Sequence, residues 1–489
     1  MKHFKIHLIL TILIVAYLFT LHSSRASAQD SLYKKIDEIV QAEAKYDLFS
    51  GTILVAEKGE IIYAKGIGEA NKEQRIPNSI ETKFNISSVQ KCFIATLIMQ
   101  LHRDGLISID DPLIKYFPEC PFTTADEIKI KNLLNHTSGL GDYRSHERYQ
   151  EESENYKEIS DVLPLIYEIP PEFNPNEKFN YSNTGFLLLK AIIEQVEKER
   201  FTEVLQHRIF DPLGMESASL YSSGDLISNK ANGHTLSVDS KEYIKAVGEP
   251  AAYAGGGLYL SVMDLLKFDQ ALYNEKLLTE ENKKIMWTPV EPSRFYGYGW
   301  IVVPFGGTTV IYHSGGSGGF NSEFRRYPEK DFTIIVLSNY EEGAFELANK
   351  IDCMLLKQPY LVTTETEAYC RRGSMYRMQN ELEVALQSYL SAIRLFKQGL
   401  VEKNIAKEIE NGINSIGYAY INKNELAKAI EVFRINTENF PESANAYDSL
   451  AEAFMKAGQK DEANKNYEKS LELNPENENA KKMLLKLEK

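Results

Sequence analysis

The sequence predicts an α+β domain followed by an all-α domain. Strand-like runs stand at both ends of a segment that reaches to about residue 340, and the residues between them are mainly helical. The remaining residues differ in kind, because their pattern repeats with a period of 34 residues. Strands contributed from the two ends of one domain predict a single sheet with a helical insertion between its halves.

The strand-like runs are short, rich in β-branched residues and bounded by turns. Residues 51–66 have the pattern of a hairpin whose turn is Glu57-Lys-Gly-Glu60. Three later runs share this character: Trp300–Val303, Thr308–Tyr312 and Phe332–Ser338. Between about residues 84 and 280, helical patterns alternate with loops rich in Pro, Gly and Asn.

The C-terminal repeat is defined by similar residues at one offset. Seven pairs stand 34 residues apart: Ile413/Tyr447, Ile416/Leu450, Gly417/Ala451, Tyr420/Phe454, Ala429/Ala463, Phe433/Tyr467 and Pro441/Pro475. The pattern resembles the tetratricopeptide repeat, in which small residues let two helices of a hairpin approach closely; the alternative is a generic helical bundle. A looser unit begins at Tyr369. Its link to the next unit is about ten residues too long, which predicts an extended second helix.

The first residues have the pattern of an export signal. Lys2 and Lys5 precede an apolar run from Ile6 to about Leu21, and Ala26-Ser-Ala28 is a small-x-small cleavage site. We expect cleavage after Ala28 and a secreted or periplasmic mature protein. The alternative is an uncleaved membrane anchor, for which the apolar run is short.

Composition excludes several classes of function. Of the 489 residues, 55 are Lys or Arg and 69 are Asp or Glu, which gives a net charge of −14. An acidic chain is a poor candidate for binding nucleic acid, because that requires clustered positive charge. Four cysteines are too few for a disulfide scaffold, and we expect buried free thiols. The nine histidines include one H-x-x-x-H pair, His3 and His7, but it falls in the predicted export signal, so a zinc lactamase is not indicated.

The tetrapeptide Ser88-Val-Gln-Lys91 is a candidate nucleophile with its base. Residues three apart on a helix share a face, so the hydroxyl and the amine can meet. A serine needs such a base, and burial among apolar neighbours lowers the pKa of a lysine enough to supply it. A serine in a first helical turn also leaves its backbone N–H free for an oxyanion. A second S-x-x-K, Ser31-Leu-Tyr-Lys34, is interpreted as ordinary surface.

Two further motifs follow in the chain. Tyr181-Ser-Asn183 can present a phenol and a carboxamide to one cleft, where the phenol relays protons and the amide binds a substrate carbonyl. The alternative is a buried tyrosine beside a turn asparagine. In His313-Ser-Gly-Gly316, the glycines Gly315 and Gly316 would let a substrate backbone lie along a strand edge. The alternative is a glycine-rich loop whose histidine merely packs.

In this order, Ser-x-x-Lys, Tyr-x-Asn and His-x-Gly resemble the serine β-lactamase and penicillin-binding-protein superfamily, in particular its class C β-lactamase, D-Ala-D-Ala carboxypeptidase and esterase branch. Residues 105–112, 133–140, 211–215 and 254–258 look like further segments of that family. The resemblance implies a mixed antiparallel sheet with flanking helices and a helical subdomain. It predicts three parts of the chain: a signal peptide at 1–28, a β-lactamase-like domain at 29–355 and a tetratricopeptide-repeat domain at 356–489.

The same resemblance implies that no metal or other cofactor is used, and it implies a role for each motif residue. Ser88 would be the nucleophile, Lys91 its base and Tyr181 a proton donor to the leaving group. Asn183 would hold the substrate amide. His313 would stand where many members have lysine, and Gly316 would supply the second oxyanion N–H.

The predicted function is an exported serine hydrolase that acts through an acyl-enzyme on a small peptide, ester or β-lactam. A histidine at 313 is mostly neutral at pH 7, whereas a lysine would be a fixed charge for a β-lactam or D-Ala carboxylate, which weakens the case for an efficient β-lactamase. The resemblance includes members with His-x-Gly in the peptidase and esterase branches. We therefore rank a D-amino-acid peptidase or transpeptidase-like hydrolase first, an esterase second and a β-lactamase third. The rival class is an inactive hydrolase fold that binds peptides. In either case the repeats could bind a protein partner.

Other residues are interpreted as structural. His136-Thr-Ser-Gly139 is expected to be a loop-and-cap element, and Ser261-Val-Met-Asp264 a capping box. Tyr298 and Trp300 are expected to pack in the core.

Overall fold

The computed structural model describes residues 29–156, 158–220, 227–246, 257–398 and 403–487. They fall into two compact units. The first, here called the sheet unit, runs to Thr235 and resumes over Tyr243–Val362; the second, the repeat unit, consists of Leu236–Glu242 and the chain from Thr363 onward. The predicted export signal at 1–28 lies outside the described residues. Among the described residues, no helix combines the length and apolarity that a bilayer crossing demands.

The sheet unit contains a six-stranded antiparallel sheet in the order β10-β11-β12-β13-β1-β2. The first and last parts of the unit therefore meet at the β1–β13 pair, as predicted. The strands are β1 (Gly51–Glu57), β2 (Glu60–Ile67), β3 (Glu69–Asn71), β4 (Ile76–Pro77), β5 (Phe84–Asn85), β6 (Ser219–Leu220), β7 (His234–Leu236), β8 (Tyr243–Lys245), β9 (Leu258–Leu260), β10 (Ile301–Phe305), β11 (Thr308–Ser317), β12 (Phe320–Tyr327) and β13 (Phe332–Ser338).

Helices pack against both faces of this sheet. The helices of the sheet unit are α1 (29–45), α2 (Gln90–Arg103), α3 (Ile130–Leu134), α4 (Glu147–Glu152), α5 (Ile159–Glu168), α6 (Asn183–Glu197), α7 (Phe201–Leu205), α8 (Asp211–Leu213), α9 (Val262–Leu272), α10 (Glu280–Met286) and α11 (Ala344–Leu355). Side chains of β1 alternate between two cores: Leu54 packs with α2 and α9, whereas Ile53 and Val55 pack with α1 and α11. Burial on both faces explains why this strand is continuously apolar.

The structure contains the elements predicted from the sequence, with two differences. The hairpin at 51–66 is formed by β1 and β2, and Ser261 caps α9 by accepting a hydrogen bond from the Asp264 N–H at 3.2 Å. The strand predicted at Thr308–Tyr312 extends to Ser317, because residues 311–317 pair with β12. The sequence analysis missed β12 itself, whose arginines and glutamate hide its strand character; they are buried in ion pairs.

The repeat unit consists of α12 (Glu365–Met378), α13 (Leu382–Lys397), α14 (Lys403–Asn422), α15 (Leu426–Asn439), α16 (Ala444–Lys456), α17 (Lys460–Leu473) and α18 (Glu478–Leu487). Its small residues lie at close helix contacts, as the 34-residue pattern predicts: a Cβ at Gly417 would lie 2.4 Å from the Phe433 ring. The sequence predicts extra length between the first repeat and the next. The second helix of the first repeat, α13, has 16 residues, and the first helix of the next repeat, α14, has 20.

The predicted α+β domain and following all-α domain are thus confirmed. All four cysteines are free thiols; Cys92, Cys120 and Cys370 are buried, as expected, whereas Cys353 is half-buried.

Candidate active site

Ser88 lies in a 3-10 turn, Ser87–Val89, which leads directly into α2. The preceding strand β5 pairs with β9, and the Ile86 N–H continues that pairing to the Leu258 carbonyl at 3.0 Å. Ser87 has a φ of 50°, a left-handed conformation that a non-glycine residue adopts only when its surroundings impose it. Those surroundings are a hydrogen bond from the Ser87 N–H to Asn85 Oδ1, 2.9 Å, and Ser317 Oγ, 2.8 Å from Ser87 Oγ.

Lys91 lies three residues later, on the face that carries Ser88. Its Nζ is 3.0 Å from Ser88 Oγ and 2.9 Å from Asn183 Oδ1, and only 3% of the residue is exposed. Burial lowers the pKa of Lys91 to about 7, and the positive charges of Arg144 and Lys190 contribute in the same direction. A large share of the amine is therefore unprotonated at neutral pH, which is the condition for accepting a proton from a hydroxyl.

Tyr181 approaches Ser88 from the other side. Its hydroxyl donates a hydrogen bond to Ser88 Oγ at 3.0 Å, although 37% of the residue is exposed. Loss of hydration raises the pKa of Tyr181 to about 12. The phenol is consequently protonated at neutral pH, so of the two groups beside Ser88 only the lysine has a pKa suited to accepting a proton.

Asn183 is the first residue of α6, and its carboxamide is held at both ends. Its Oδ1 accepts from Lys91, and its Nδ2 donates to Asp142 Oδ2 at 2.6 Å. The sequence analysis did not single out Asp142. Its position a few residues after the His136-Thr-Ser-Gly139 segment was the available indication.

His313 lies inside β11 with both ring nitrogens engaged. Nδ1 is 2.6 Å from the Ser314 carbonyl oxygen and Nε2 is 2.8 Å from the Tyr296 hydroxyl. A carbonyl only accepts, so Nδ1 carries the proton and Tyr296 donates to Nε2. Burial, reinforced by the nearby Lys91, lowers the pKa of His313 to about 3. The ring is therefore neutral at pH 7, and its contact with a substrate stays a prediction.

The two glycines of β11 differ in their surroundings. A Cβ at Gly315 would lie 2.4 Å from the Ile86 carbonyl oxygen, 2.6 Å from Ser322 Oγ and 3.0 Å from the Ser88 nitrogen. A Cβ at Gly316 would meet nothing closer than 3.8 Å. The absence of a side chain at 315 thus lets the strand lie directly against the turn that carries Ser88.

His136 supports the site from behind, in the loop predicted for it. Its φ is 60°, its Nδ1 accepts a hydrogen bond from the Ser182 N–H at 3.2 Å, and its ring centroid is 4.2 Å from that of Tyr181. Tyr298 and Trp300 are buried in the core, as expected. Ser31 and Lys34 of the second S-x-x-K are exposed on α1.

The arrangement can activate one hydroxyl. Ser88, Lys91, Tyr181 and Asn183 form one hydrogen-bonded cluster, beside which the glycines of β11 lie. Such a cluster supplies a nucleophile, an amine base and a phenol acid around one point.

Known proteins resemble both parts of this chain. The family model described as Beta-lactamase matches residues 36–355, and a Tetratricopeptide repeat model matches residues 444–477. Penicillin-binding protein 4* of Bacillus subtilis (strain 168) is 30% identical over 380 residues, which cover 71% of this chain and 83% of that protein. Teichoic acid D-alanine hydrolase of Staphylococcus aureus (strain MRSA252) is 27% identical over 316 residues, 64% of this chain and 75% of that protein. The crystal structure of a penicillin-binding protein from Bacillus halodurans, 28% identical, superposes with a TM-score of 0.58 over 65% of this chain and 98% of its own.

Proposed function

The chain belongs to the beta-lactamase family, and from this premise we propose that it is a serine hydrolase that forms an acyl-enzyme on Ser88 with D-alanyl peptides or esters. The observation that carries the proposal is the pair of 3.0 Å contacts from Ser88 Oγ to Lys91 Nζ and to the Tyr181 hydroxyl. The pKa of Lys91, about 7, suits a base at neutral pH.

In the proposed acylation, Ser88 Oγ forms a bond to the substrate carbonyl carbon while its proton passes to Lys91. The negative charge on the carbonyl oxygen is stabilised by the N–H groups of Ser88 and Gly316. The bond from the carbonyl carbon to the leaving nitrogen or oxygen then breaks. Tyr181 gives its proton to the leaving atom and regains one from the Lys91 ammonium. Water subsequently hydrolyses the ester on Ser88.

The substrate class follows from the strand side of the site. Position 313 carries a neutral imidazole rather than a fixed positive charge, so neither the carboxylate of a β-lactam nor that of a D-Ala-D-Ala peptide has an ionic partner there. This weakens the case for an efficient β-lactamase. One relative is named as a teichoic acid D-alanine hydrolase, and this similarity supports D-alanyl compounds as the acyl donors.

A fluorophosphonate probe tests the nucleophile. We expect covalent labelling of the wild type and none of Ser88→Ala. Ser31→Ala is the matched control, because it removes the serine of the second S-x-x-K and should leave labelling unchanged. Labelling that survives Ser88→Ala would reject Ser88, and an unlabelled wild type would favour an inactive peptide-binding fold.

A substrate panel tests the specificity. The expected order of kcat/KM places a D-Ala-D-Ala peptide or a D-alanyl ester above a chromogenic cephalosporin. Preferred turnover of the cephalosporin would make the protein a β-lactamase instead.

Export and a role of the repeats in binding a protein partner belong to the same proposal. Export is supported by the cleavage pattern at Ala26–Ala28, and N-terminal sequencing of secreted protein should begin at Gln29. We further propose domains at 29–355 and 356–489. Deletion of residues 360–489 should leave turnover of small substrates unchanged; a changed kcat would mean that the repeats take part in catalysis.

A further inference from the structure

Asp142 holds one end of the Asn183 carboxamide. Its Oδ2 accepts from Asn183 Nδ2 at 2.6 Å and from the Asn183 N–H at 3.4 Å, while its Oδ1 accepts from the Arg144 N–H at 3.0 Å. An ionised carboxylate only accepts hydrogen bonds, so it selects the NH₂ side of the amide. The oxygen side is thereby turned toward Lys91, whose Nζ is 2.9 Å away.

This orientation determines how a neutral Lys91 can be hydrogen-bonded. An unprotonated amine has two N–H donors and one lone pair. With one N–H held by Asn183 Oδ1, either the second N–H or the lone pair can face Ser88 Oγ, 3.0 Å away, and transfer of the Ser88 proton requires the lone pair. Tyr181 donates to Ser88 Oγ, so the Ser88 hydrogen is free to point at the amine. If the carboxamide turned over, its NH₂ group would face Lys91 and compete with Ser88 for the lone pair.

We propose that Asp142 is a positioning residue that fixes the orientation of the Asn183 carboxamide and so keeps the Lys91 lone pair directed at Ser88. The inference depends on the proposed function, since it concerns proton transfer from Ser88 to Lys91. Asp142 contacts Asn183, and Asn183 contacts Lys91, so the effect of Asp142 on proton transfer passes through Asn183.

If Asp142 acted only through its negative charge, its removal would change the pH–rate profile in a different way. Burial, Arg144 and Lys190 lower the pKa of Lys91, whereas the Asp142 carboxylate and Cys92 raise it; His136 and His313 nearby are held neutral by burial. Removal of Asp142 as a charge would therefore move the rise of the pH–rate profile to lower pH and leave its plateau unchanged. Loss of positioning lowers the plateau itself.

The experiment measures the second-order rate constant of fluorophosphonate labelling of the full-length protein between pH 5.5 and 9. We expect Asp142→Ala to lower the plateau about 10- to 100-fold, the range of a lost or misplaced catalytic contact. Asp142→Asn retains an oxygen that can accept from the Asn183 NH₂, and we expect a smaller loss.

The decisive variant is Asp142→Ala combined with Asn183→Asp. A carboxylate at 183 presents an acceptor to Lys91 in either orientation, so it no longer needs Asp142. We expect this double variant to recover most of the lost plateau, with the rise moved to higher pH because a negative charge now adjoins Lys91. Recovery also shows that the single variant is folded, since a structural loss would not be repaired by a second substitution.

Arg144→Gln is the matched control. It removes the neighbouring cation, whose Nη2 is 3.4 Å from Asp142 Oδ2, but keeps the shorter 2.6 Å contact of that oxygen with Asn183. Its plateau should therefore stay within about 2-fold while the rise moves to higher pH. An unchanged plateau in Asp142→Ala, or no recovery in the double variant, would overturn the inference. Neither result touches the proposed function, which fails only if the wild type is not labelled at Ser88.

Discussion

The sheet unit and the repeat unit depend on contacts of very different reach along the chain. In the repeat unit, Gly373 packs against Tyr389 and Gly417 against Phe433, each within one helix hairpin. In the sheet unit, the hydrogen bond between Ser88 and Tyr181 joins residues 93 positions apart, and that between Ser87 and Ser317 joins residues 230 apart.

This difference determines how far from its own position a substitution affects the protein. A repeat is stabilised by its own hairpin and its neighbours, so damage to one hairpin changes stability locally. The site in the sheet unit exists only when distant segments are held in register, so a small displacement of one segment alters the chemistry.

Replacement of Lys91 by methionine should have the largest effect. The variant keeps the apolar stem but loses the base, and labelling of Ser88 should slow by about 10²- to 10⁴-fold. The rise of the rate through pH 7 should disappear, because the pKa of Lys91, about 7, produces it. The rate of probe labelling, measured from samples quenched at fixed times over a range of pH, gives both effects. Lys34→Met is the control on the exposed second motif; a wild-type rate in Lys91→Met would remove lysine from the mechanism.

Alanine substitutions at two adjacent glycines should show whether activity depends on how closely β11 lies against the Ser88 turn. Gly315→Ala places its Cβ 2.4 Å from the Ile86 carbonyl and must push β11 away from Ser88, whereas Gly316→Ala has nothing within 3.4 Å. We expect kcat/KM to fall about 10²-fold in the first variant and to change little in the second. Equal losses in both variants would contradict the proposed contact of β11 with the Ser88 turn.

Acid should destabilise the sheet unit through His313. Its folded pKa, about 3, lies below the ordinary value of 6.5, so the unfolded chain takes up the proton first and stability is lost as the pH falls from 6.5 toward 3. At about 1.4 kcal/mol per pH unit, this group removes roughly 3 kcal/mol by pH 4.5.

Denaturant unfolding at pH 7 and 4.5 measures the difference. Fluorescence reports the sheet unit, because both tryptophans, Trp287 and Trp300, belong to it. His313→Asn should lose less stability on acidification than the wild type. The exposed His207→Asn is the control, and parallel losses in all three proteins would refute the assignment.

The smallest expected effect concerns the repeat unit. Gly417→Ala would place its Cβ 2.4 Å from the Phe433 ring, so we expect its helical melting transition to lose about 1–3 kcal/mol of stability. Labelling of Ser88 should stay at the wild-type rate. Ser415→Ala, an exposed position on the same helix, is the control. A slower labelling rate in Gly417→Ala would show that the repeats influence the site.

Features that depend on neighbouring residues or on a regular spacing could be predicted from the amino-acid sequence alone. The interval of 34 residues fixes which faces of successive helices meet, and Ser88 and Lys91 share a helical face because they are three residues apart. The hairpin at 51–66 and the cap at Ser261 follow likewise from neighbouring residues.

Only the tertiary structure decided the protonation states and the partners of the site. The low pKa of Lys91 arises from burial and from the charges of Arg144 and Lys190, and the neutral state of His313 arises from burial and from the charge of Lys91. Asp142 could not be recognised, since its contact with Asn183 joins residues 41 positions apart. The physical reason is desolvation. How strongly water is excluded from a charged group depends on every segment that packs around it, so a short sequence motif cannot predict the pKa of that group.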